Sequence, residues 1–398
     1  MSVELAGFGG KPVRSTRIYY GHQSIDERDI SSVVDVLKSD YITCGPMVQK
    51  TEEKLRKITG AEYAVLVSSG TAALHLACIA AGIGPGDEVI TTPLTFAASA
   101  NCVLYCGGTP VFADVDPDTY NIDPKDVEKK ITDRTKAIIA VDFTGQVVQI
   151  RELREIADRY SLVLIEDAAH SIGSRYEGKP VGSLADITCF SFHPVKTVTA
   201  GEGGAVLTNR EDFYRRICLG RSHGIAHSNE EMVNPTGETW YYEQIFLGFN
   251  YRMTDFQAAL LFSQLDKLSW FKKRRNEIAS RYDLAFSKTD SLIVQKVIPE
   301  SDTCRHLYII RLNMDHLTCT RKEFFDAMSA ENVQCQVHYI PVYWFPYYER
   351  KGYKKGLCPK AEEIYQTIMS IPLYPSMGDK DVDDVINAVV KIVNYYRR

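Results

Sequence analysis

The sequence of 398 residues lacks a long apolar run, a strong net charge and any CxxC cysteine pair. No segment approaches the roughly 20 apolar residues of a membrane-spanning helix, and the N-terminal MSVELAGFGGKPVRS has no signal-peptide core. The formal charge of −5 argues against a general nucleic-acid surface. The ten scattered cysteines favour reduced thiols over zinc or disulfides. We therefore expect a cytoplasmic protein that binds neither nucleic acid nor membrane.

Three ligand-binding motifs are incomplete in this chain. Residues 173–180 nearly match a phosphate-binding P-loop, but Pro180 replaces the Ser or Thr that would ligate magnesium. A β-turn around Gly178 is predicted there instead. No complete GxGxxG follows a predicted strand, so a nicotinamide site has little support. His223 and His227 have the i, i+4 spacing of a helical metal pair, but no acidic third ligand matches it and a glycine lies between them. We therefore predict no metal site.

Short β-branched runs alternate with helical patterns through the first two thirds of the chain. The predicted strands are Ala64–Val67, Glu88–Thr91, Pro110–Ala113, Lys136–Val141 and Leu162–Ile165. The predicted helices follow Ser69, run from Phe96 to about Tyr105, and cover Pro124–Ile131 and Ile150–Tyr160. Asp123 is the expected N-cap of the third. This alternation predicts an α/β fold, with a mostly parallel sheet covered on both faces.

The pattern changes at Met253. One long helical stretch is predicted from Met253 to Phe286, followed by short strands in HLYIIRL and CQVHYI and by a C-terminal helix. We predict two domains, a large one over residues 1–267 and a smaller C-terminal α/β domain over residues 268–398.

Two predicted strands end in residues suited to a phosphorylated, nitrogen-containing ligand. Gly70 and Thr71 begin a helix, where free backbone N–H groups and a hydroxyl can bind phosphate. An ordinary N-cap explains the same residues equally well. Asp167 ends a buried strand, and a buried carboxylate needs a donor or a cation as partner. A ligand pyridinium, an arginine or a helix N-terminus would each satisfy it.

Two further segments carry candidate residues. Lys196 lies in SFHPVKT before GEGG, flanked by Val195 and Val198. Desolvation of such a lysine would lower its pKa and make the amine nucleophilic, whereas the usual alternative is a surface lysine. Asn250 precedes a long predicted helix, where Asn250 itself or Thr254 would serve as the cap.

The order of these segments resembles that of fold type I enzymes that use pyridoxal 5′-phosphate (PLP). SFHPVKTVTAGEGGAVLTN is similar to the motif of the DegT/DnrJ/EryC1/StrS sugar aminotransferase family. The resemblance runs from about Tyr19 to the C-terminus and includes SDYITCGP, RSHG and GFNYRM. It implies the PLP-dependent aminotransferase fold of type I.

The resemblance also implies a role for each matching residue. Lys196 would hold PLP as a Schiff base and carry protons, and Asp167 would pair with the pyridine nitrogen. The residues implied to contact the cofactor are Gly70, Thr71, Phe96, Asp167, His170, Ser191, Lys196 and Asn250. Phe96 would stack on the ring and His170 would lie near its phenolic oxygen. Asn250 would reach the phosphate from the neighbouring subunit, which implies a homodimer with shared active sites.

The implied reaction moves an amino group from L-glutamate to a nucleotide-linked keto-sugar. Three segments resemble the branch of UDP-4-amino-4,6-dideoxy-N-acetyl-β-L-altrosamine transaminases, namely QVHYIPV, PYYERKGYKKG and IPLYPSM. This resemblance implies amination at C4 of a UDP-linked 4-keto-6-deoxy-N-acetylhexosamine, as in pseudaminic acid-type biosynthesis. GDP- or dTDP-linked 4-keto-6-deoxyhexoses (perosamine-like) remain alternatives. So does a PLP-dependent sugar dehydratase, although relatives of that kind carry His in place of Lys196. The expected sugar or nucleotide contacts are His193, Arg221, His338 and Tyr339, and second-domain packing explains the last three equally well.

Overall fold

The computed structural model describes residues 4–398, and its centre is a seven-stranded mixed sheet in the order β1-β9-β8-β5-β4-β2-β3. Only β9 runs against the other six strands of this sheet. The strands up to β9 are β1 Tyr63–Val67, β2 Glu88–Thr91, β3 Thr109–Phe112, β4 Thr135–Val141, β5 Val163–Asp167, β6 Arg175–Tyr176, β7 Lys179–Pro180, β8 Ile187–Ser191 and β9 Gly204–Thr208. The predicted α/β fold with a mostly parallel sheet is confirmed.

Helices cover both faces of this sheet. The helices are α1 Glu27–Leu37, α2 Pro46–Thr59, α3 Gly70–Ala80, α4 Ala98–Tyr105, α5 Pro124–Lys129, α6 Ile150–Tyr160, α7 Glu211–Arg221, α8 Asp255–Asp266, α9 Leu268–Phe286, α10 Arg321–Ala330, α11 Pro346–Arg350, α12 Pro359–Thr367 and α13 Asp379–Tyr396. In β1, Val65 packs in a buried cluster with α3, α4 and α7, while Leu66 packs in the opposite cluster with α2, α6 and α8. Burial on both faces explains why the strands are apolar without alternation.

The prediction of one continuous helix from Met253 to Phe286 is wrong. The first helix ends at Asp266 and the second begins at Leu268. At Lys267 the backbone N–H bonds to the carbonyl three residues back, as at the end of a helix. The Lys267 ammonium is held in ion pairs with Asp26 and Asp29, which lie at the start of α1.

A third buried cluster lies in the C-terminal part of the chain. It joins α9, α10 and α13 to a three-stranded sheet in the order β12-β14-β15. The remaining strands are β10 Ile225–Ala226, β11 Glu243–Gln244, β12 Leu292–Val294, β13 Ser301–Asp302, β14 Tyr308–Leu312 and β15 Ile368–Ile371. Leu5 and Ile18 also pack in this cluster, so the N-terminus contributes to it. The domain boundary at 267/268 stays a prediction.

The predicted strand in CQVHYI is wrong, while the turn at Gly178 is confirmed. Gln336 forms only an isolated bridge with Ser370, and no strand is formed by residues 335–340. Around Gly178, β6 and β7 pair as a tight hairpin whose two turn residues have positive φ. Within residues 4–398, no helix combines the length and apolarity that crossing a membrane requires.

Candidate active site

A cavity of about 500 Å³ lies at the edge of the large sheet where β1, β5 and β8 end. Open α/β sheets commonly bind their ligands at this edge, and the volume is typical of small-molecule sites. The sequence-predicted residues that line it are Gly70, Thr71, Phe96, Asp167, His170, Ser191, His193, Lys196, His338 and Tyr339. The fold therefore brings together residues that are up to 269 positions apart in the sequence.

Asp167 ends β5, and its carboxylate is buried in the cavity wall. The Ser99 hydroxyl donates to Oδ2 at 2.6 Å, and the Ala169 N–H donates to Oδ1 at 3.2 Å. Burial raises the pKa of Asp167, while these two hydrogen bonds and the charge of Lys196 oppose the rise. Such a carboxylate is suited to pair with a cationic N–H group of a ligand.

Lys196 lies in the loop between β8 and β9 and faces the same cavity. Burial lowers its pKa to about 8, and the negative charge of Asp167 opposes that shift. A larger fraction of this amine is therefore uncharged at neutral pH than for an ordinary lysine. An uncharged amine is the form that attacks a carbonyl carbon.

The start of α3 meets Ser191 at the other end of the cavity. Gly70 is the first helical residue, and the Ser69 hydroxyl caps the helix by accepting from the Ala72 N–H at 3.1 Å. A Cβ at Gly70 would lie 2.8 Å from the Ser191 Cβ, so only glycine permits this close approach. Backbone N–H groups of the first turn, together with the hydroxyls of Thr71 and Ser191, suit an anion.

Side chains of the C-terminal part of the chain close the cavity from the other side. The Tyr339 hydroxyl lies 3.3 Å from Nε2 of His170, and the Tyr339 ring is 6.4 Å from that of Phe96. His338 bonds through Nδ1 to the Ser370 hydroxyl at 2.8 Å. Burial lowers the pKa of His338 to about 4, so its ring is neutral at physiological pH.

His193 lies in a more exposed part of the cavity. Its Nε2 is 4.0 Å from Oε1 of Glu202, and both side chains are about half exposed. Since both reach solvent, this pair contributes little to stability and is free to contact a ligand.

Two predicted residues do not line the cavity. The Arg221 guanidinium bonds to Oε1 of Glu52 at 2.8 Å and to the Leu66 carbonyl at 3.1 Å, so it connects α7 to α2 and β1. We therefore no longer expect Arg221 to contact sugar. Asn250 pairs with Ser222 in an isolated bridge on the exposed side. It does not reach the cavity of its own chain.

Neither candidate metal ligand lies on a helix. His223 has φ +63° just after α7, and His227 follows the short strand β10, so helical spacing does not apply to them. Within residues 4–398, no group of three or more His, Cys, Asp and Glu side chains is arranged to hold a metal ion.

Among the polar residues of the cavity, Tyr20, Thr95, Ser99, Glu202 and His306 escaped the sequence-based prediction. Thr95 and Ser99 lie within three positions of Phe96, so the segment around Phe96 was a usable signal. Glu202 lies within the GEGG segment. Tyr20 and His306 come from distant parts of the chain, and no local pattern marks them.

The chain matches the family model described as the DegT/DnrJ/EryC1/StrS aminotransferase family over residues 23–390. A Bacillus subtilis relative, spore coat polysaccharide biosynthesis protein SpsC, is 42% identical over 376 residues, which cover 94% of this chain and 96% of the relative. A UDP-4-amino-4,6-dideoxy-N-acetyl-beta-L-altrosamine transaminase of Campylobacter jejuni is 38% identical over 384 residues, covering 96% of this chain and 99% of that protein.

Solved structures are similar over the same length. Helicobacter pylori PseC, an aminotransferase involved in the biosynthesis of pseudoaminic acid, superposes with a TM-score of 0.89 at 31% identity, covering 96% of this chain and all of that one. The PLP form of Spr1654 from Streptococcus pneumoniae superposes with a TM-score of 0.87 at 30% identity, covering 95% of this chain and 98% of that one.

Proposed function

The chain belongs to the DegT/DnrJ/EryC1/StrS aminotransferase family, and from this membership we propose that it uses PLP to transfer an amino group from L-glutamate to the keto carbon of a nucleotide-linked sugar. The observation that carries the proposal is the meeting of a buried carboxylate, a buried amine and a helix N-terminus in one cavity. These three features are Asp167, Lys196 and the first turn of α3.

The cavity fits PLP on observations of its own residues. The close approach of Gly70 to Ser191 leaves backbone N–H groups and hydroxyls free for a phosphate. At the opposite end, Asp167 retains room for a further donor, as a protonated pyridine nitrogen requires. Phe96 is 64% exposed at the cavity, which leaves an aromatic face available for stacking.

When bound, PLP supplies an electron-accepting ring that stabilises negative charge on the carbon bearing the transferred amine. Asp167 would hold the ring nitrogen protonated. Nζ of Lys196 would take a proton from the α-carbon of the amino donor and keep it within the cavity. In the second half of the cycle the same amine would give a proton to the carbon of the sugar that receives the amino group, so one side chain would serve both substrates.

We further propose a homodimer in which Asn250 of each copy reaches the phosphate end of the partner's cavity. Large apolar side chains lie exposed on the segment leading to Asn250, namely Val233, Trp240, Tyr242 and Leu247. Exposed apolar side chains grouped in this way favour a protein interface, and a twofold dimer would present the segment of each copy to the other.

Mixing two inactive variants tests the shared site. Lys196→Ala and Asn250→Ala chains should each be inactive alone. Random exchange of subunits would give heterodimers with one intact site each, so the mixture should regain about a quarter of the wild-type activity. A mixture that stays inactive although exchange is demonstrated would exclude shared sites.

For the acceptor, we propose C4 of a UDP-linked 4-keto-6-deoxy-N-acetylhexosamine. The support is the similarity to the Campylobacter jejuni transaminase and to Helicobacter pylori PseC. Tyr20, His193, Glu202, His338 and Tyr339 line the cavity with groups that can hydrogen-bond sugar hydroxyls.

The test is incubation of PLP-loaded protein with L-glutamate and a panel of UDP-, GDP- and dTDP-linked keto-sugars, with products identified by mass and NMR. A gained amine at C4 of the UDP-sugar supports the proposal, and amination of another sugar would change the substrate but keep the reaction. Loss of water without gain of nitrogen would show a dehydratase instead.

A further inference from the structure

Two buried histidines lie side by side in the cavity wall, and the family resemblance implies a role only for His170. The ring centroids of His170 and His306 are 4.5 Å apart, with an angle of 44° between the ring planes. His306 is 4% exposed and comes from the segment just before β14, far from His170 in the sequence. The Nδ1 atoms of both rings are buried without a hydrogen-bond partner. Packing, rather than hydrogen bonding, therefore joins the two rings.

The backbone of His306 is held on both sides. Its N–H donates to the Thr144 carbonyl at 2.8 Å, and its carbonyl accepts from Nη1 of Arg275 at 3.1 Å. The same Nη1 donates to the Leu373 carbonyl at 2.9 Å. Arg275 is 1% exposed, and it forms no ion pair within residues 4–398. A buried guanidinium bonded to two carbonyls thus fixes the loop that carries His306.

The charged and titratable groups that act most strongly on His306 are the ring of His170, Lys196, Arg275 from α9 and the ring of His338. None of these groups carries a negative charge. Burial and the positive charges of Lys196 and Arg275 hold the pKa of His306 well below its ordinary value, and burial does the same for the pKa of His170. Both rings are therefore neutral at physiological pH, and they can pack against each other without charge repulsion.

We propose that His306 is a positioning residue that acts through His170: its ring, carried by a backbone that Arg275 holds, keeps the His170 imidazole in one orientation, with Nε2 toward Tyr339 and the cavity. The inference rests on the proposed function and on the family resemblance, which implies that His170 lies near the cofactor, and it adds a residue that does not itself need to touch cofactor or substrate. Loss of the His306 ring would leave space beside His170, and His170 would then rotate among several positions.

Two substitutions separate this role from a purely structural one. His306→Phe keeps a flat aromatic ring, slightly larger than imidazole and without ring nitrogens, while His306→Gln keeps the approximate volume without a ring. We expect His306→Gln to lower kcat by about tenfold or more, since misplacement of a catalytic group by about 1 Å has effects of that size. KM for both substrates should change little, and His306→Phe should retain most of the wild-type kcat.

A second readout uses the protein without cofactor and does not depend on activity. In wild-type protein and in His306→Phe, the ring NMR signal of His170 should be single and should show no titration near the ordinary histidine pKa, because burial lowers the pKa of His170. In His306→Gln it should broaden or titrate nearer the ordinary histidine pKa of about 6.5. If the His170 signal and kcat in His306→Gln match those of the wild type, or if His306→Phe loses as much activity as His306→Gln, the proposal is overturned. Absence of amine transfer by wild-type protein would instead contradict the proposed function, and the NMR comparison would still decide the role of His306.

Discussion

Replacing Ser99 with alanine should weaken PLP binding without unfolding the protein. The Ser99 hydroxyl donates to Oδ2 of Asp167 at 2.6 Å, and both groups are buried. A hydrogen bond to a charged group contributes about 1.5–3 kcal/mol. Because the lost bond stabilises the ionised carboxylate that would pair with the ring nitrogen, we expect Kd for PLP to rise by about 10- to 150-fold. The pKa of Asp167, already raised by burial, should rise further.

The assay is a titration of the protein with PLP followed by absorbance, with circular dichroism to confirm the fold. Ser99→Thr is the matched control, because it keeps the hydroxyl and should bind PLP nearly as the wild type does. The Thr95 hydroxyl donates to the Ser99 hydroxyl at 2.7 Å, since the hydrogen of Ser99 goes to Asp167, and Thr95 does not itself bond to Asp167, so Thr95→Val should have a smaller effect. Equal PLP affinity of Ser99→Ala and wild type would refute the reasoning.

Three other substitutions give distinct outcomes. Gly70→Ala should fold but lose most PLP affinity in the same titration, because its Cβ would lie 2.8 Å from the Ser191 Cβ. As a control, a Cβ at Gly7 meets only an ordinary contact at 3.7 Å, so Gly7→Ala should bind PLP normally. Burial raises the pKa of Glu166 to about 7, so its contribution to stability is present below its ordinary pKa of about 4.5 and is lost as pH rises through 7. In urea unfolding, Glu166→Gln should therefore lose less stability than wild type between pH 5 and pH 7; parallel losses would contradict this. Arg221→Ala should lower the free energy of unfolding by about 1–3 kcal/mol, since it breaks hydrogen bonds to a charged partner. The KM for the sugar should stay unchanged. A raised KM with normal stability would restore Arg221 as a substrate contact.

Elements with strong local determinants were predicted well from the sequence. The strand Glu88–Thr91 and the helix Ile150–Tyr160 have the predicted bounds, because an apolar run and an amphipathic pattern each decide them locally. Asp123 caps α5 as expected, its carboxylate accepting from the Lys125 N–H at 2.9 Å. The break at Lys267 was missed because it depends on ion pairs with Asp26 and Asp29, more than 200 residues earlier in the chain.

The candidate site divides in the same way. Gly70, Asp167 and Lys196 follow strands or lie in glycine-rich loops, so local sequence points to them. Arg221 does not line the cavity, and a motif does not reveal that Glu52 binds its guanidinium. His306 was missed because its contact with His170 exists only after the C-terminal part of the chain packs against the sheet.

The central claim is that the buried amine of Lys196 joins covalently to PLP beside Asp167. The most direct measurement is borohydride reduction of PLP-loaded protein, followed by digestion and mass spectrometry. We predict a pyridoxyl tag on the peptide that contains Lys196, and none on that peptide from Lys196→Ala. A tag on another lysine, or no tag, would contradict the account.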